Sequence, residues 1–237
     1  YIKAAEKSAD FIIDNLTADD GGLLKSYRNG ASNINGMIED YAFFIWGLIE
    51  LYQATFNDKY LSKASDLSEY QINNFWDEDN GGFFFTSKKS EELLIRNKEI
   101  YDGAIPSGNS ASAYNYIRLG RILSKPEFEE ITYKIIDTFS NNLKRYSSGY
   151  SLLLHALDFA EGPSYEVITV GSKSKSKKIM QSLYNHKQFN KVLIFKDNKK
   201  EVSPYLSYLS NYISDKNKPV VYVCKNYVCN LPTSDID

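Results

Sequence analysis

Apolar side chains recur at helical spacing along most of the chain from Tyr1 to Phe159. Spacings of three and four residues place such side chains on one face of an α-helix, which then packs against its neighbours. The pattern predicts successive helices that pair into about three helical hairpins. The predicted segments are residues 1–16, a helix starting near Asp40, residues 59–75, a helix through Ala113 and Leu123, residues 124–143, and residues 150–159.

The turns between these segments contain residues that commonly cap helices. Asn57 is expected to cap the third helix, and Asn109 or Ser110 the fourth. Ser124 is expected to cap the fifth helix, with Pro126 in its first turn.

The second predicted helix is apolar on both sides. Tyr41 and Ile45 lie on one face, whereas Phe43 and Trp46 make the other face apolar too. A helix that is apolar all round is usually buried on most sides. We therefore expect this segment to be an inner helix of the fold.

Two turns in the chain resemble one another. Acidic residues, a Gly-Gly pair and apolar residues follow a helix at residues 20–24 and again at residues 79–85. The offset is about sixty residues, the length of one hairpin with its loops, and indicates a repeated supersecondary unit.

The pattern changes at Gly162-Pro163. Short apolar runs at 166–171, 191–196 and 219–224 predict strands, while 173–187 predicts a basic amphipathic helix and 205–213 a further helical segment. Alternating strands and helices favour a small parallel or mixed sheet with right-handed crossovers. The sequence thus predicts a mainly α protein with two parts, a helical-hairpin domain at 1–161 and a small α/β module at 162–237.

The composition limits the kinds of partner that can be expected. The 237 residues are 43% hydrophobic and 24% charged with a net charge of −2, which is ordinary for a globular protein. The absence of a net positive charge argues against a nucleic-acid partner. The apolar stretch 41–51 is too short to span a bilayer, so no membrane partner is expected. Without a secretory signal pattern, a cytoplasmic localisation is expected. No cofactor and no metal are expected.

Several stretches resemble a known family, the thioredoxin-domain-containing proteins related to spermatogenesis-associated protein 20. The run Asp-Gly-Ala-Ile-Pro-Ser-Gly-Asn-Ser at 102–110 is the most specific of them. The supporting stretches are 26–30, 39–43, 75–77, 81–84, 101–110 and 222–226 with Cys229 and Pro232. They follow the family's order and cover essentially the whole chain.

The resemblance implies an N-terminal thioredoxin-like domain followed by an α/α toroid similar to six-hairpin glycosidases and sugar epimerases. The present chain corresponds to the C-terminal region, so we expect a partial toroid. Half a toroid leaves the apolar sides of its terminal helices, 2–13 and 150–159, without partners, which predicts self-association. We expect no catalysis from this stretch alone.

Candidate ligand-binding residues occupy two places. Glu39, Asp40 and Tyr41 start the inner helix, where toroid enzymes carry acids that act as general acid and base. The structural alternative is that Asp40 caps the helix and Glu39 is a solvated neighbour. Tyr27 and Arg28 form a further candidate pair, with an ion pair to a loop acid as the alternative.

The second place is the loop before the fourth helix. Its glycines and Pro106 fix its shape, and its candidates are Tyr101, Asp102, Ser107 and Asn109. Structural and binding roles are both open for this loop.

The two cysteines, Cys224 and Cys229, lack the spacing of redox or zinc motifs. Two roles remain open for them. They are either small side chains buried in the core, or they take part in a redox link to the thioredoxin-like domain of the parent chain.

Two function classes remain. In the first, the parent protein binds or converts a sugar-like ligand in carbohydrate metabolism, through the toroid cleft. In the second, the toroid is a non-catalytic scaffold for the thioredoxin-like domain in redox or protein quality control.

Overall fold

The helix predicted near Asp40 is the longest apolar helix of the fold. In the computed structural model, which describes residues 1–30, 34–90, 94–214 and 218–235, it runs over Ile38–Thr55. The helices are α1 Ile2–Asn15, α2 Ile38–Thr55, α3 Asp58–Phe75, α4 Gly108–Leu123, α5 Pro126–Thr138, α6 Ser140–Arg145, α7 Ser151–Glu161 and α8 Lys177–Asn185. The strands are β1 Tyr165–Gly171, β2 Lys191–Asp197, β3 Val220–Lys225 and β4 Val228–Cys229, with 3₁₀ helices at Ser147–Gly149 and Pro204–Asn211.

Helix α4 is the centre of the helical part, because all of its residues are buried. It packs against α2 on one side, α7 on the other and α5 behind it, while α2 packs against α3 and α1. Asn115 donates to the Ala42 carbonyl at 2.7 Å, and Arg118 pairs with Glu50 at 2.7 Å further along both helices. Since the contacts advance in step, α2 and α4 run side by side in the same direction.

The two Gly-Gly turns are closed in a similar way, by a backbone N–H that donates to the carbonyl of the second glycine, but the second turn is one residue longer. In the first, Ala18 N–H donates to Gly22 O at 2.8 Å. In the second, Asp77 N–H donates to Gly82 O at 3.0 Å. Gly81 has φ +71°, and an added Cβ there would lie 2.5 Å from Thr138 Oγ1, so a side chain would be strained and obstructed.

The α/β part confirms the prediction of a small mixed sheet. The strand order is β2-β1-β3-β4, with β1 and β2 parallel and the other pairs antiparallel. Leu193 N–H of β2 donates to the Gln53 side chain of α2 at 2.7 Å, and Tyr208 donates to the Ile122 carbonyl of α4 at 2.8 Å. One hydrophobic core continues from the helices into the sheet through Ile168 and its neighbours. The boundary between 161 and 162 therefore stays a prediction.

Several predicted boundaries were wrong. Ser124 ends α4 with φ +54° instead of capping α5, whose N-cap is Lys125. The predicted helix 124–143 is interrupted at Phe139. The Phe139 ring packs against Gly82, so closely that a Cβ added at Gly82 would lie 3.1 Å from it. The basic helix begins at Lys177, because a turn over 172–176 is closed by Ser176 N–H donating to Ser172 O.

Self-association stays a prediction, and the exposure of α1 and α7 bears on it. Leu153 and Phe159 of α7 are fully buried, whereas in α1 only Ala9 is buried and Phe11 keeps 46% of its surface exposed. The exposed apolar side of α1 is the remaining basis for that expectation.

Asp77 anchors the second Gly-Gly turn and gives a prediction for stability. Burial opposes ionisation, but Lys98 and the N–H groups of Asn80 and Asp79 outweigh it and lower the pKa of the Asp77 carboxyl to about 2. Because this pKa lies below the ordinary value of 3.8, the carboxylate stabilises the fold above that value. The stabilisation is lost as the pH falls towards 2.

Replacing Asp77→Asn should lower the free energy of unfolding at pH 7 by about 1–2 kcal/mol, and the difference should vanish near pH 2. Urea titrations across that pH range measure it. Asp20→Asn is the matched control in the first turn, where the carboxylate side chain is 45% exposed and the loss should be smaller. Equal losses at both positions would contradict the argument.

Candidate functional site

One side of α2 remains open. Glu39, Phe43, Trp46 and Glu50 follow one another at spacings of four, three and four residues, which places them on one stripe of the helix. Phe43 and Trp46 are half-buried and Glu50 is exposed. A Cβ added at the exposed Gly47 would have no described atom within 4 Å apart from its own chain neighbours and helix backbone. The expectation that α2 is buried on most sides therefore holds for three sides and fails on this stripe.

Helices α4 and α7 complete a surface beside this stripe. Tyr114 of α4 contacts the Trp46 ring edge-on at 5.6 Å and the His155 ring of α7 at 4.7 Å between ring centres. The Arg118 guanidinium lies over the Tyr114 ring at 4.7 Å. We call these residues together the open face: Glu39, Phe43, Trp46, Glu50, Tyr114, Arg118 and His155.

Arg118 supplies the open face with a buried positive charge. Only 4% of its side chain is exposed, and its Nη2 pairs with Glu50, which is 56% exposed. Trp46 Nε1 donates to the same carboxylate at 3.2 Å. The Arg118 Nε and Nη1 atoms have no hydrogen-bond partner among the described residues. Arg118 is thus a buried cation neutralised by a single solvent-facing acid.

His155 is held neutral by its surroundings. Burial lowers the pKa of the His155 imidazole; the Asp158 carboxylate opposes this shift and the Arg118 charge adds to it. A neutral imidazole offers both a hydrogen-bond donor and an acceptor at pH 7.

Glu39 lies at the other end of the open face, beside a groove of about 590 Å³. The groove is lined by Ile12, Leu16, Leu23, Leu24, Lys25, Glu39, Asp40, Phe43, Phe44 and Ile105. Among the described residues no group hydrogen-bonds the Glu39 carboxyl. Burial raises the pKa of the Glu39 carboxyl; the charges of Glu99 and Asp40 add to the rise, and Lys25 opposes it. Of the predicted acids, Glu39 is therefore the one available to a ligand.

The neighbouring candidates Asp40 and Tyr41 hold the start of α2 in place. Asp40 is the third residue of the helix rather than its cap, and its carboxylate accepts the Met37 N–H at 2.7 Å. It still faces the groove, 3.6 Å from Lys25. Tyr41 is buried, and its hydroxyl accepts the Leu23 N–H at 2.7 Å.

The loop before α4 is built mainly for structure. Asp102 is buried and accepts the N–H groups of Ser107 at 2.9 Å and Leu152 at 2.8 Å, which ties α7 to α4. Ser107 caps α4 by accepting Ser110 N–H at 3.1 Å, so neither Asn109 nor Ser110 has the expected cap role. Asp102 does not line the groove beside Glu39.

Asn109 and Tyr101, the other two candidates of this loop, differ in exposure. Buried Asn109 makes hydrogen bonds to both the N–H and the carbonyl of Phe83, at 2.7 and 2.9 Å, so it fastens the second Gly-Gly turn to α4. Tyr101 is 59% exposed and contacts Tyr150 edge-on. Tyr101 therefore remains accessible, whereas Asn109 does not.

Tyr27 and Arg28 lie away from the open face. Tyr27 is 45% exposed and packs edge-on against Phe11 of α1 at 5.1 Å. Arg28 is exposed, and its side chain has no ion pair with any described acid. The expected ion pair is not formed in the part of the chain that the structure describes.

Cys224 and Cys229 form a disulfide that links β3 to β4. This bond is neither of the two alternatives that the sequence suggests, small buried side chains or a redox link to a thioredoxin-like domain of the parent chain. The described residues hold no cluster of three or more His, Cys, Asp or Glu side chains placed to bind a metal ion. Over residues 1–30, 34–90, 94–214 and 218–235, no helix has both the length and the apolar character that crossing a membrane requires.

Sequence reasoning missed Trp46, Glu50, Tyr114, Arg118 and His155. Tyr114 and Arg118 are four residues apart, as are Trp46 and Glu50, and such pairs share a helix face. That spacing was a usable signal. The meeting of His155 with Tyr114 depends on helix packing, which no local pattern encodes.

Comparison with known proteins places the chain among distant relatives. No protein-family model matches it. Spermatogenesis-associated protein 20 of Rattus norvegicus is 30% identical over 205 residues, covering 84% of this chain and 26% of the rat protein. The Homo sapiens protein of the same name gives the same identity and coverage. An uncharacterized protein of Caenorhabditis elegans is 30% identical over 245 residues, covering 100% of this chain and 33% of the relative.

The chain is therefore homologous to part of spermatogenesis-associated protein 20, as the sequence motifs indicated. It spans about a quarter to a third of the length of these relatives.

Asp102 should behave as a structural residue. Replacing Asp102→Asn turns an amide N–H₂ towards backbone donors, so the free energy of unfolding should fall by about 1–3 kcal/mol. Chemical denaturation measures the change, with Asp137→Asn on the exposed side of α5 as the control. Unchanged stability of the Asp102→Asn chain would contradict this assignment.

The raised pKa of the Glu39 carboxyl predicts that removing its charge increases the free energy of unfolding, and that this increase depends on pH. The folded chain holds the Glu39 proton more tightly than the unfolded chain does. At pH 7 the ionised carboxylate therefore lowers the stability, whereas below the unfolded pKa the carboxyl is protonated in both states and the cost is absent. Glu39→Gln should therefore stabilise the chain at pH 7, relative to its control, by at most about 0.5 kcal/mol, since solvent screens the partly exposed group. The gain should disappear below about pH 4.

Glu127→Gln is the matched control, because Glu127 occupies the same second position of α5 and is exposed. Both substitutions remove an equal interaction with the helix dipole, so their difference isolates burial and neighbouring charge. A difference that persists at acid pH would refute the assignment.

Proposed function

We propose that the open face is the ligand-binding surface of a carbohydrate-binding or carbohydrate-active protein. The observation that carries this proposal is the combination of half-buried rings with a free carboxyl, a neutral imidazole and a buried guanidinium on one surface. Pockets for small polar ligands typically have apolar walls with a few placed polar groups. Trp46 and Phe43 offer flat apolar surface, and Glu39, His155 and Arg118 offer hydrogen bonds.

The arrangement of the helices supports a partial α/α toroid. Helices α2, α4 and α7 form one row, and α3 and α5 pack behind it. Along the chain, the helices of the row alternate with α1, α3 and α5, which is the alternation of inner and outer helices in a toroid. The open face is then the inner surface, and further hairpins of the parent protein would close the ring around it.

Glu39 is the residue we assign to proton donation. Its raised pKa leaves a larger protonated fraction near neutral pH than an ordinary glutamate has, and a protonated carboxyl can donate to an acetal oxygen. Hydrolysis of a glycosidic bond needs a second carboxylate within about 5–9.5 Å. Glu99 is the candidate for that group, since its charge acts on Glu39.

The alternative function is a scaffold for a thioredoxin-like domain of the parent chain. The observation that favours it is the use of Asp102, Ser107 and Asn109 in buried hydrogen bonds, which removes most of the specific family motif from ligand contact. Deleting the helical part from the whole protein separates the two functions. A scaffold role predicts a loss of redox activity on deletion, and unchanged redox activity would count against it.

Ligand binding can be tested by saturation-transfer NMR of the 237-residue chain with a panel of mono- and disaccharides. We expect signals from ring protons of at least one sugar, and loss of one aromatic platform in Trp46→Ala should weaken binding about tenfold. Tyr133→Ala is the control, because Tyr133 is 39% exposed on α5, in the other layer. No transfer to any sugar, or equal losses in both variants, would overturn the proposal.

A further inference from the structure

The β3–β4 hairpin is a very short structure closed by a covalent bond. Cys224 and Cys229 are paired across the two strands and form the disulfide, and β4 consists of two residues. The turn residues Asn226 and Tyr227 both have positive φ, +50° and +65°. Asparagine tolerates this conformation, whereas tyrosine adopts it at a cost of about 1 kcal/mol.

The tip of this hairpin reaches into a cluster of buried charges. Arg121 of α4 pairs with Glu166 of β1 at 2.9 Å and with Glu129 of α5 at 3.1 Å, and the Arg121 side chain is 5% exposed. Asn226 accepts a hydrogen bond from Arg121 Nη1 at 3.1 Å, and Tyr227 N–H donates to Glu166 at 3.1 Å.

The Tyr227 side chain closes the cluster from outside. Its hydroxyl donates to Glu129 and its ring lies 5.1 Å from the Arg121 guanidinium. The tip therefore supplies hydrogen bonds to all three buried charges.

Strand β3 is held by its antiparallel pairing with β1, and beyond the disulfide the Asn230 N–H donates to the Val223 carbonyl at 3.0 Å. The tip has less support, because β4 consists of two residues and pairs with β3 only next to the disulfide. The left-handed turn adds a further cost. The disulfide reduces the number of conformations that the hairpin can adopt when its tip is not bound to the Arg121 cluster. Less conformational entropy is therefore lost when the tip binds.

The two sulfur atoms differ in access. Cys224 is 1% exposed, whereas Cys229 is half-buried. Cys229 lines an open groove of about 630 Å³ together with Tyr208, Tyr212, Tyr222 and Tyr227. The Tyr212 hydroxyl lies 3.3 Å from Cys229 Sγ. An incoming thiolate therefore reaches Cys229 first.

We propose that the Cys224–Cys229 disulfide is a thiol-exchange site for a dithiol reductant, and that its reduction releases the hairpin tip from the Arg121 cluster. A thiolate of the dithiol attacks Cys229 Sγ, the Cys224–Cys229 bond breaks, and Cys224 leaves as a thiolate that takes up a proton. The second thiolate of the dithiol then attacks the mixed disulfide. The dithiol ends as a disulfide, having lost two electrons, and both cysteines end as thiols.

Hydrogen exchange of the 237-residue chain, with and without dithiothreitol, tests the release of the tip. Reduction, verified by alkylation of both cysteines and intact mass, should accelerate exchange in residues 224–229 about tenfold or more. The α2 peptides should not change. Unchanged exchange in the hairpin of the fully reduced chain would overturn the release, and so would equal acceleration in α2, which would mean global loosening.

The side of attack is tested on the oxidised chain with a monothiol, followed by acid quenching, alkylation of the freed cysteine and peptide mass analysis of the mixed disulfide. The monothiol should be found on Cys229, with the alkyl group on Cys224, in about tenfold or greater excess over the reverse product. Equal amounts of the two products, or an excess with the monothiol on Cys224, would overturn the assignment of Cys229 as the attacked sulfur. Circular dichroism before quenching verifies that the helices are retained.

Discussion

The architecture depends on a helix that is buried on every side although much of its surface is polar. All residues of α4 are buried, among them Asn109, Asn115, Arg118 and Arg121. A buried polar group without a partner costs about 1–3 kcal/mol, and a buried charge costs more. Each neighbour of α4 must therefore offer a matching group at a fixed position. This requirement determines how the rest of the chain is arranged around it.

The partners of these side chains connect every part of the fold. Asn109 holds the second Gly-Gly turn through Phe83, and Asn115 holds α2 through the Ala42 carbonyl. Arg121 holds α5, β1 and the β3–β4 hairpin together. Hydrophobic contacts are non-directional and would tolerate some sliding between helices, whereas these hydrogen bonds fix the register. The α/β module is joined to the helices in the same way, because Arg121 of α4 pairs with Glu166 of β1 next to the hydrophobic core that the two parts share.

The sequence was sufficient for features that depend on local physics. Periodicity located the long helices and the three main strands, and the Gly-Gly pairs located two similar turns, because positive φ and helix spacing are properties of short segments. It was insufficient where tertiary contacts decide. Asp102 could not be identified as a structural acceptor, since Leu152 lies fifty residues away along the chain. His155 could not be recognised as part of a site, because its contact with Tyr114 exists only after α7 packs on α4. The disulfide was missed because the spacing fits no motif, and the turn that brings the two cysteines together requires a tyrosine in an unfavourable conformation.

Two arginines of α4 show how one helix can serve two different roles. Arg121 is fixed by two carboxylates and the hairpin tip, so its charge is satisfied from several directions and exchanging one partner leaves the others. Arg118, three residues earlier, has one ionic partner in the part of the chain that the structure describes, the solvent-exposed Glu50, whose carboxylate also accepts from Trp46 Nε1. A carboxylate on one exposed side chain is the kind of partner that a ligand oxygen can replace, since moving Glu50 into water costs little. In the proposed binding function, Arg118 is the cation with which a ligand would pair, whereas Arg121 holds α5, β1 and the β3–β4 hairpin together.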